Sequence, residues 1–154
     1  MVVRSLNSTV TAQYIQGGSD GNTGLDASYL RQSASTYNIA VGGGFATGGV
    51  VNTNSHILSY VFSGTGVSNE DRLKFYIDGS GQTLTYLTNV GTLTNALIDY
   101  LFLGVSYTSA PNGNEQFYYN GFLFDVLAYS RALSSTELQN VQTFLSNKWN
   151  IPLQ

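Results

Sequence analysis

The side chains able to carry acid–base or metal chemistry are few, and their spacing keeps them apart. There is one histidine, His56, no cysteine, and nine acidic residues against six Lys and Arg. A Ser-His-acid triad would have to be built on His56. That residue lies in an alternating stretch and no G-x-S-x-G turn accompanies it, so a structural or surface role is expected. A lone histidine without thiolates excludes the His and Cys clusters that hold zinc. Glu70 and Asp71 are adjacent, and on a strand they would point to opposite faces. Asp78 sits in an Asp-Gly turn, Glu137 at a helix start, and Asp99 and Asp125 are isolated. Glycoside hydrolysis needs two carboxylates aimed at one bond, and no spacing here supplies them. The glycine-rich run Gly42 to Gly49 lacks the Lys-Ser/Thr of a phosphate-cradling loop, which leaves a hairpin or bulge. The expectation is a chain that is not an enzyme.

Recognition is the chemistry the composition favours. Aromatic residues make up 13% of the chain, eleven of them Tyr. Exposed aromatic faces flanked by Asn, Asp and Gln are what sugar hydroxyls and ring faces bind to. Tyr29, Tyr107, Tyr118 and Tyr119 fall at strand ends or near loops, and the loop Ser109 to Gln116 carries Asn112, Asn114 and Glu115. Tyr107, Asn112, Asn114, Glu115 and Tyr118 are therefore the candidate ligand contacts. Cross-strand packing is the competing reading for each tyrosine.

The elements that must position these residues are mostly strands. Thr9–Gln16, Leu25–Arg31, Thr36–Val41, Ser55–Phe62, Arg72–Ile77, Gln82–Leu87, Tyr100–Tyr107 and Phe122–Tyr129 read as strands. Gly17–Gly24, Ser63–Asn69 and Ser109–Gln116 read as loops or turns. In Arg72–Ile77, Leu73, Phe75 and Ile77 form the inner set, and Asp78-Gly79 marks a tight turn. Phe122–Tyr129 is apolar on both faces, as expected of a strand covered on both sides. A single helix follows. Ser134 and Glu137 make a capping box, Leu133 and Leu138 a staple, and Leu138, Val141, Leu145 and Trp149 a stripe with Phe144 beside it. Asn150 and Pro152 end it. Strand signals separated by turn signals, with one helix at the end, predict an all-β, two-sheet antiparallel sandwich with the helix packed on one edge or end. At 154 residues, one domain over 1–154 is expected.

Charged residues are only 10% of the chain, against about 25% in a typical globular protein. Ser, Thr, Asn, Gln and Gly supply the polarity instead, the character of a turn-rich β-protein at an extracellular or virion surface. The net charge of −3 and the lack of a basic stripe argue against nucleic-acid binding. No apolar run reaches membrane-spanning length, and the N-terminus carries no signal-peptide pattern.

The C-terminal segment resembles the laminin-G-like, concanavalin A-like lectin/glucanase family in Gly121, Asp125, Tyr129, Arg131, Ala132-Leu133-Ser134, Glu137, Leu145 and Lys148-Trp149. Residues 72–79, RLKFYIDG, resemble its mid-domain hairpin. The family more often has Glu where this chain has Asp125. The resemblance implies a concanavalin A-like jelly roll and, since glucanase relatives carry an E-x-D-x-E-like run that is missing here, a non-catalytic module. The implied partners are a glycan or neighbouring protein subunits, with oligomerisation or membership of a larger assembly, such as a phage or viral decoration or fibre component. It also raises Ca²⁺, for which Asp20, Asn22 and Asp26 are the candidate ligands, with Asn112, Asn114 and Glu115 a poorer second set. Val2-Val3-Arg4 reads as the tail of a strand, so the chain is expected to lack the family's first strands and to expose an edge there. Asp125 is expected to be a structural acid, bonded to backbone donors or to Arg131.

Overall fold

The computed structural model describes residues 1–7, 13–19, 26–41, 44–90, 100–107 and 115–154. In chain order the elements are β1 (Val2–Ser5), β2 (Gln13–Ser19), β3 (Asp26–Ser33), β4 (Thr36–Val41), β5 (Gly44–Val50), β6 (Ser55–Phe62), α1 (Asn69–Arg72), β7 (Leu73–Ile77), β8 (Ser80–Gln82), β9 (Leu84–Thr88), β10 (Tyr100–Leu103), β11 (Ser106–Tyr107), β12 (Glu115–Gln116), β13 (Gly121–Asp125) and α2 (Ser135–Trp149). Among the described residues all strand pairs are antiparallel. They form a five-stranded sheet in the order β13-β1-β6-β7-β8, a six-stranded sheet in the order β10-β2-β3-β4-β5-β9, and the small pair β11-β12.

Alternation decides which residues meet between the sheets. Val3, Leu58, Leu73, Phe75 and Ile77 of the five-stranded sheet share one buried cluster with Ile15, Leu30, Tyr37, Ile39, Val41 and Ala46 of the six-stranded sheet. The inner set expected for β7 is the one observed. Gly49 belongs to this packing. Its φ is +69°, which strains any residue with a side chain, and a Cβ there would lie 2.7 Å from Ile77 Cδ1 and have to push that methyl aside.

Several boundaries differ from expectation. Gly17 to Ser19 extend β2 instead of opening a loop, and Gly44 to Val50 form a full strand, because each pairs with a neighbour on both sides. Asn69 to Arg72 form one helical turn capped by Ser68, so Glu70 and Asp71 lie on helix and not strand. The tight turn at Asp78-Gly79 is present, with φ of 50° and 85° and Ile77 opposite Ser80. The return strand is divided: Gln82 pairs with Phe75, whereas Leu84 pairs with Gly48 in the other sheet, so the chain changes sheets at Thr83. Gly104, at φ +73°, separates β10 from β11.

Two expectations about the five-stranded sheet are corrected. β1 is not an edge: β13 pairs with one side and β6 with the other, and Val2 and Val3 are fully buried. The final strand is not covered on both sides. It ends at Asp125 and forms the sheet edge, with Leu123 turned to the core and Phe122 and Phe124 exposed.

α2 has the predicted capping box. Ser134 Oγ accepts the Glu137 N–H, and the Glu137 carboxylate accepts the Ser134 N–H. Asn150 closes the helix in the left-handed conformation, at φ 52°. The helix packs on the outer face of the five-stranded sheet and not on an edge or end. Leu145 and Ile151 join Val2 and Ile57 in a second buried cluster, with Val141, Trp149 and Leu153 at its margin. Phe144 is turned out to solvent, and Gln142 is buried instead, its Nε2 donating to Ser59 Oγ at 3.3 Å.

Candidate functional site

The face of the six-stranded sheet turned away from the core carries a continuous row of polar and aromatic side chains. Register sets the row: Tyr14 on β2 stands opposite Arg31 on β3, Arg31 opposite Asn38 on β4, and Asn38 opposite Thr47 on β5. Each neighbour bonds the next. Arg31 Nη1 donates to the Tyr14 hydroxyl (3.3 Å), Arg31 Nε donates to Asn38 Oδ1 (3.2 Å), Asn38 Nδ2 donates to Thr47 Oγ1 (3.1 Å), and Thr47 Oγ1 donates to Thr36 Oγ1 (3.2 Å). The next row along the strands is Tyr29, Ala40 and Phe45. The small Ala40 leaves the rings of Tyr29 and Phe45 facing across it at 6.3 Å between centroids.

The guanidinium of Arg31 lies against three of these rings, 5.1 Å from Tyr29, 5.6 Å from Tyr14 and 5.8 Å from Phe45. Tyr14 also packs on Tyr29 (5.2 Å) and on Phe117 (5.9 Å). Phe117 reaches it from a backbone position of φ 57° and is half exposed. Among the described residues no carboxylate pairs with Arg31. The Arg31 guanidinium is held by aromatic faces and neutral acceptors on the described side chains, a setting in which it can donate to a hydroxyl or an anion. Tyr14, Asn38 and Ala40 are buried, at 5%, 6% and 8% of their surface, so Tyr29, Arg31, Phe45 and Thr47, each partly exposed, are the members through which ring faces and donors reach solvent.

The remaining polar clusters are internal fastenings. His56 is buried, with Nδ1 2.6 Å from Asp78 Oδ2 and Nε2 2.8 Å from Asn52 Oδ1. Asp78 Oδ1 in turn accepts the Ile57 N–H at 2.7 Å. Nε2 therefore faces an amide oxygen where a catalytic triad would have a nucleophilic hydroxyl. Asp125 is a fastening as well, but not to Arg131. Lys148 Nζ stands 2.8 Å and Trp149 Nε1 2.5 Å from its Oδ2, tying β13 to the end of α2. The Lys148 bond, followed by that of Trp149, holds its carboxyl below the usual range. Arg131 instead forms a bidentate pair with Glu137, at 2.6 and 2.9 Å. That pair, with the bonds from Ser134, brings Glu137 down to about 2.

The loop-rim residues chosen from the sequence are only partly within the described structure. Tyr107 and Glu115 are brought together as a cross-strand pair of β11 and β12, while their side chains, and Asn112 and Asn114 entirely, lie outside the described residues. Tyr118 is exposed, at 59% of its surface. Tyr119 is turned inward, its hydroxyl 2.9 Å from Ser5 Oγ, and burial raises its pKa. Of the metal candidates, Asp20 and Asn22 lie outside the described residues, and Asp26 begins β3 with its side chain likewise outside. Among the described residues no three His, Cys, Asp or Glu side chains cluster as metal ligands, and no helix is long and apolar enough to cross a membrane.

Arg31, Asn38 and Phe45 were not chosen from the sequence. Alternation within β3 and β4 puts Tyr29 with Arg31 and Asn38 with Ala40, but nothing local aligns the two strands so that these pairs meet. Comparison with known proteins finds no match to any family model, curated protein or solved structure.

Proposed function

We propose that the chain is a non-catalytic recognition module that binds carbohydrate at an extracellular or virion surface, with the outer face of the six-stranded sheet as its binding face. The observation that carries this reading is the row Tyr14–Arg31–Asn38–Thr47 beside the rings of Tyr29 and Phe45. It combines the partly exposed rings of Tyr29 and Phe45, hydroxyls and a guanidinium that no described carboxylate pairs with, set on the buried Tyr14 and Asn38, which is the chemistry that fixes a sugar ring and its hydroxyls. The two-sheet antiparallel architecture and the C-terminal resemblance support placing the chain among concanavalin A-like jelly rolls. Binding to an array of neutral and acidic glycans tests the proposal. Saturable binding is expected to fall at least about tenfold in Arg31→Gln and Tyr29→Ala, as loss of a charge-assisted bond or a stacking face worth about 1.4 kcal/mol requires. It is expected to persist in Tyr118→Ala. A flat array at high protein concentration removes the reading.

A second reading, a structural component of a larger assembly without a glycan ligand, is favoured by a different surface. Phe122, Phe124, Leu127, Tyr129 and Phe144 are all exposed around the β13 edge and α2. An apolar patch beside an open strand edge is the usual mark of a contact between chains. A symmetric oligomer with no sugar affinity would select this reading.

A further inference from the structure

The donors and acceptors of the outer sheet face do not balance. A guanidinium carries five N–H groups. In Arg31, Nε spends one on Asn38 Oδ1 at 3.2 Å and Nη1 spends one on the Tyr14 hydroxyl at 3.3 Å. Among the described residues no further bond or ion pair engages the group, which leaves one N–H on Nη1 and both on Nη2. The acceptors, by contrast, are used within the row. Asn38 Oδ1 takes the Arg31 bond, and Thr47 Oγ1 takes one from Asn38 Nδ2 while donating to Thr36. Tyr14 and Asn38 are buried besides. The row therefore presents a surplus of donors, carried on a positive charge.

The described acids lie elsewhere. Asp78 is held by His56, Asp125 by Lys148, Glu137 by Arg131 and Asp71 by Ser68, and Glu70 shares α1 with Asp71. These residues belong to the five-stranded sheet, its turn and its helices. The other cations serve as fastenings: Arg131 and Lys148 pair with carboxylates, and Arg72 donates to the carbonyls of Gly66 and Val90. Arg31 is fixed differently. Two bonds to neutral oxygens set the plane of its guanidinium before any ligand arrives, so little is lost when the remaining N–H groups are used.

We infer that this face takes an acidic sugar, with the ring resting on Tyr29 or Phe45 and its carboxylate or sulfate on the Nη1–Nη2 end of Arg31. The inference rests on the reading of the face as a carbohydrate site and names the ligand class within it. An acidic group brings acceptors only, and two of its oxygens match two parallel N–H groups of a guanidinium. A neutral hydroxyl brings a donor as well, for which the row has few acceptors left. The stacking rings lie beside the same fork, with Tyr29 5.1 Å and Phe45 5.8 Å from the guanidinium carbon. Both are partly exposed. Small residues flank them: Gly17 stands opposite Tyr29 on one side, and Ala40 stands between Tyr29 and Phe45 on the other.

The test titrates the intact chain calorimetrically at low salt with trigalacturonic acid, sialyllactose and a sulfated galactan tetrasaccharide. Each is paired with an uncharged counterpart, the methyl ester for the first two and the desulfated sugar for the third. At least one acidic probe is expected to bind about tenfold tighter than its counterpart, as a charge-assisted bond requires. The responding pair tells carboxylate from sulfate. The margin is expected to narrow at about 0.5 M salt. In Arg31→Gln the acidic probe is expected to fall to the level of its counterpart, whereas Tyr29→Ala weakens both members of a pair alike. Equal binding of acidic and uncharged members, with both weakened by Tyr29→Ala, overturns the acidic class and leaves the sugar site standing. A margin that survives in Arg31→Gln puts the acid elsewhere and overturns the inference. No binding by any probe also overturns it, and a flat glycan array besides removes the reading beneath it. The comparison of acid with ester in the unaltered chain decides the matter even where a variant fails to fold.

Discussion

Leu145→Ala tests the joint between the closing helix and the sheet. Leu145 is 1% exposed and packs on Val2 and Ile57, both at 0%, and on Ile151 at 6%. Truncating a buried Leu removes its transfer free energy and leaves a cavity, a loss of about 2.7–5.0 kcal/mol in well-packed cores. The cluster is only four buried residues and borders a cleft, so its walls can relax inward. That argues for the low end, about 3 kcal/mol. For a chain of this size each kcal/mol moves Tm by about 2–4 °C, so a fall of about 6–12 °C is expected. Denaturant unfolding should show a lower midpoint at an unchanged slope. Phe144→Ala is the internal control, since Phe144 neighbours Leu145 in sequence but is 57% exposed. Its effect should stay within about 0.5 kcal/mol. Equal, small shifts in both variants would mean that α2 does not dock on β1 and β6, and the account of the outer layer would fail.

The other predictions concern single polar groups. Ser28→Ala should leave stability unchanged or raise it by up to about 1 kcal/mol, because it deletes a buried hydroxyl that has no partner; a clear loss in thermal unfolding would show that the hydroxyl is bonded. His56→Ala strands Asp78 Oδ2 in a buried site and should cost about 2–4 kcal/mol by denaturant titration, whereas a surface histidine would cost nothing measurable. Asp125→Ala should lower Tm by freeing Lys148 and Trp149 while leaving any glycan preference intact; an unchanged melting curve would contradict the fastening role. Glu137 titrates at about 2 in the folded chain against an ordinary 4.5, so between these values the unfolded state binds the extra proton. Its contribution is complete above about pH 4.5 and is lost as pH falls towards 2, and the acid limb of a Tm-against-pH curve should flatten in Glu137→Gln.

How much was legible in the sequence follows the range of the interaction involved. α2 was readable almost to the residue, because Ser134, Glu137 and Asn150 satisfy helix ends within one turn. β4 and β6 and the Asp78-Gly79 turn were equally local, set by alternation and by φ values open to few residues. Pairing decided the rest. Gly17 to Ser19 became strand because β3 and β10 flank them, and the strand expected through Tyr129 ended at Asp125, its last residue paired with β1, opposite Val2. Asp125 could be read as a structural acid, but its partners 23 and 24 residues away depended on where α2 came to rest. The candidate binding face shows the same division. The sequence determined which residues of β3 and β4 share a side, since side chains alternate with a period of two. Only the tertiary structure decided that Arg31 stands between Tyr14 and Asn38, because register is fixed by the burial of whole strands and not by any residue in the row.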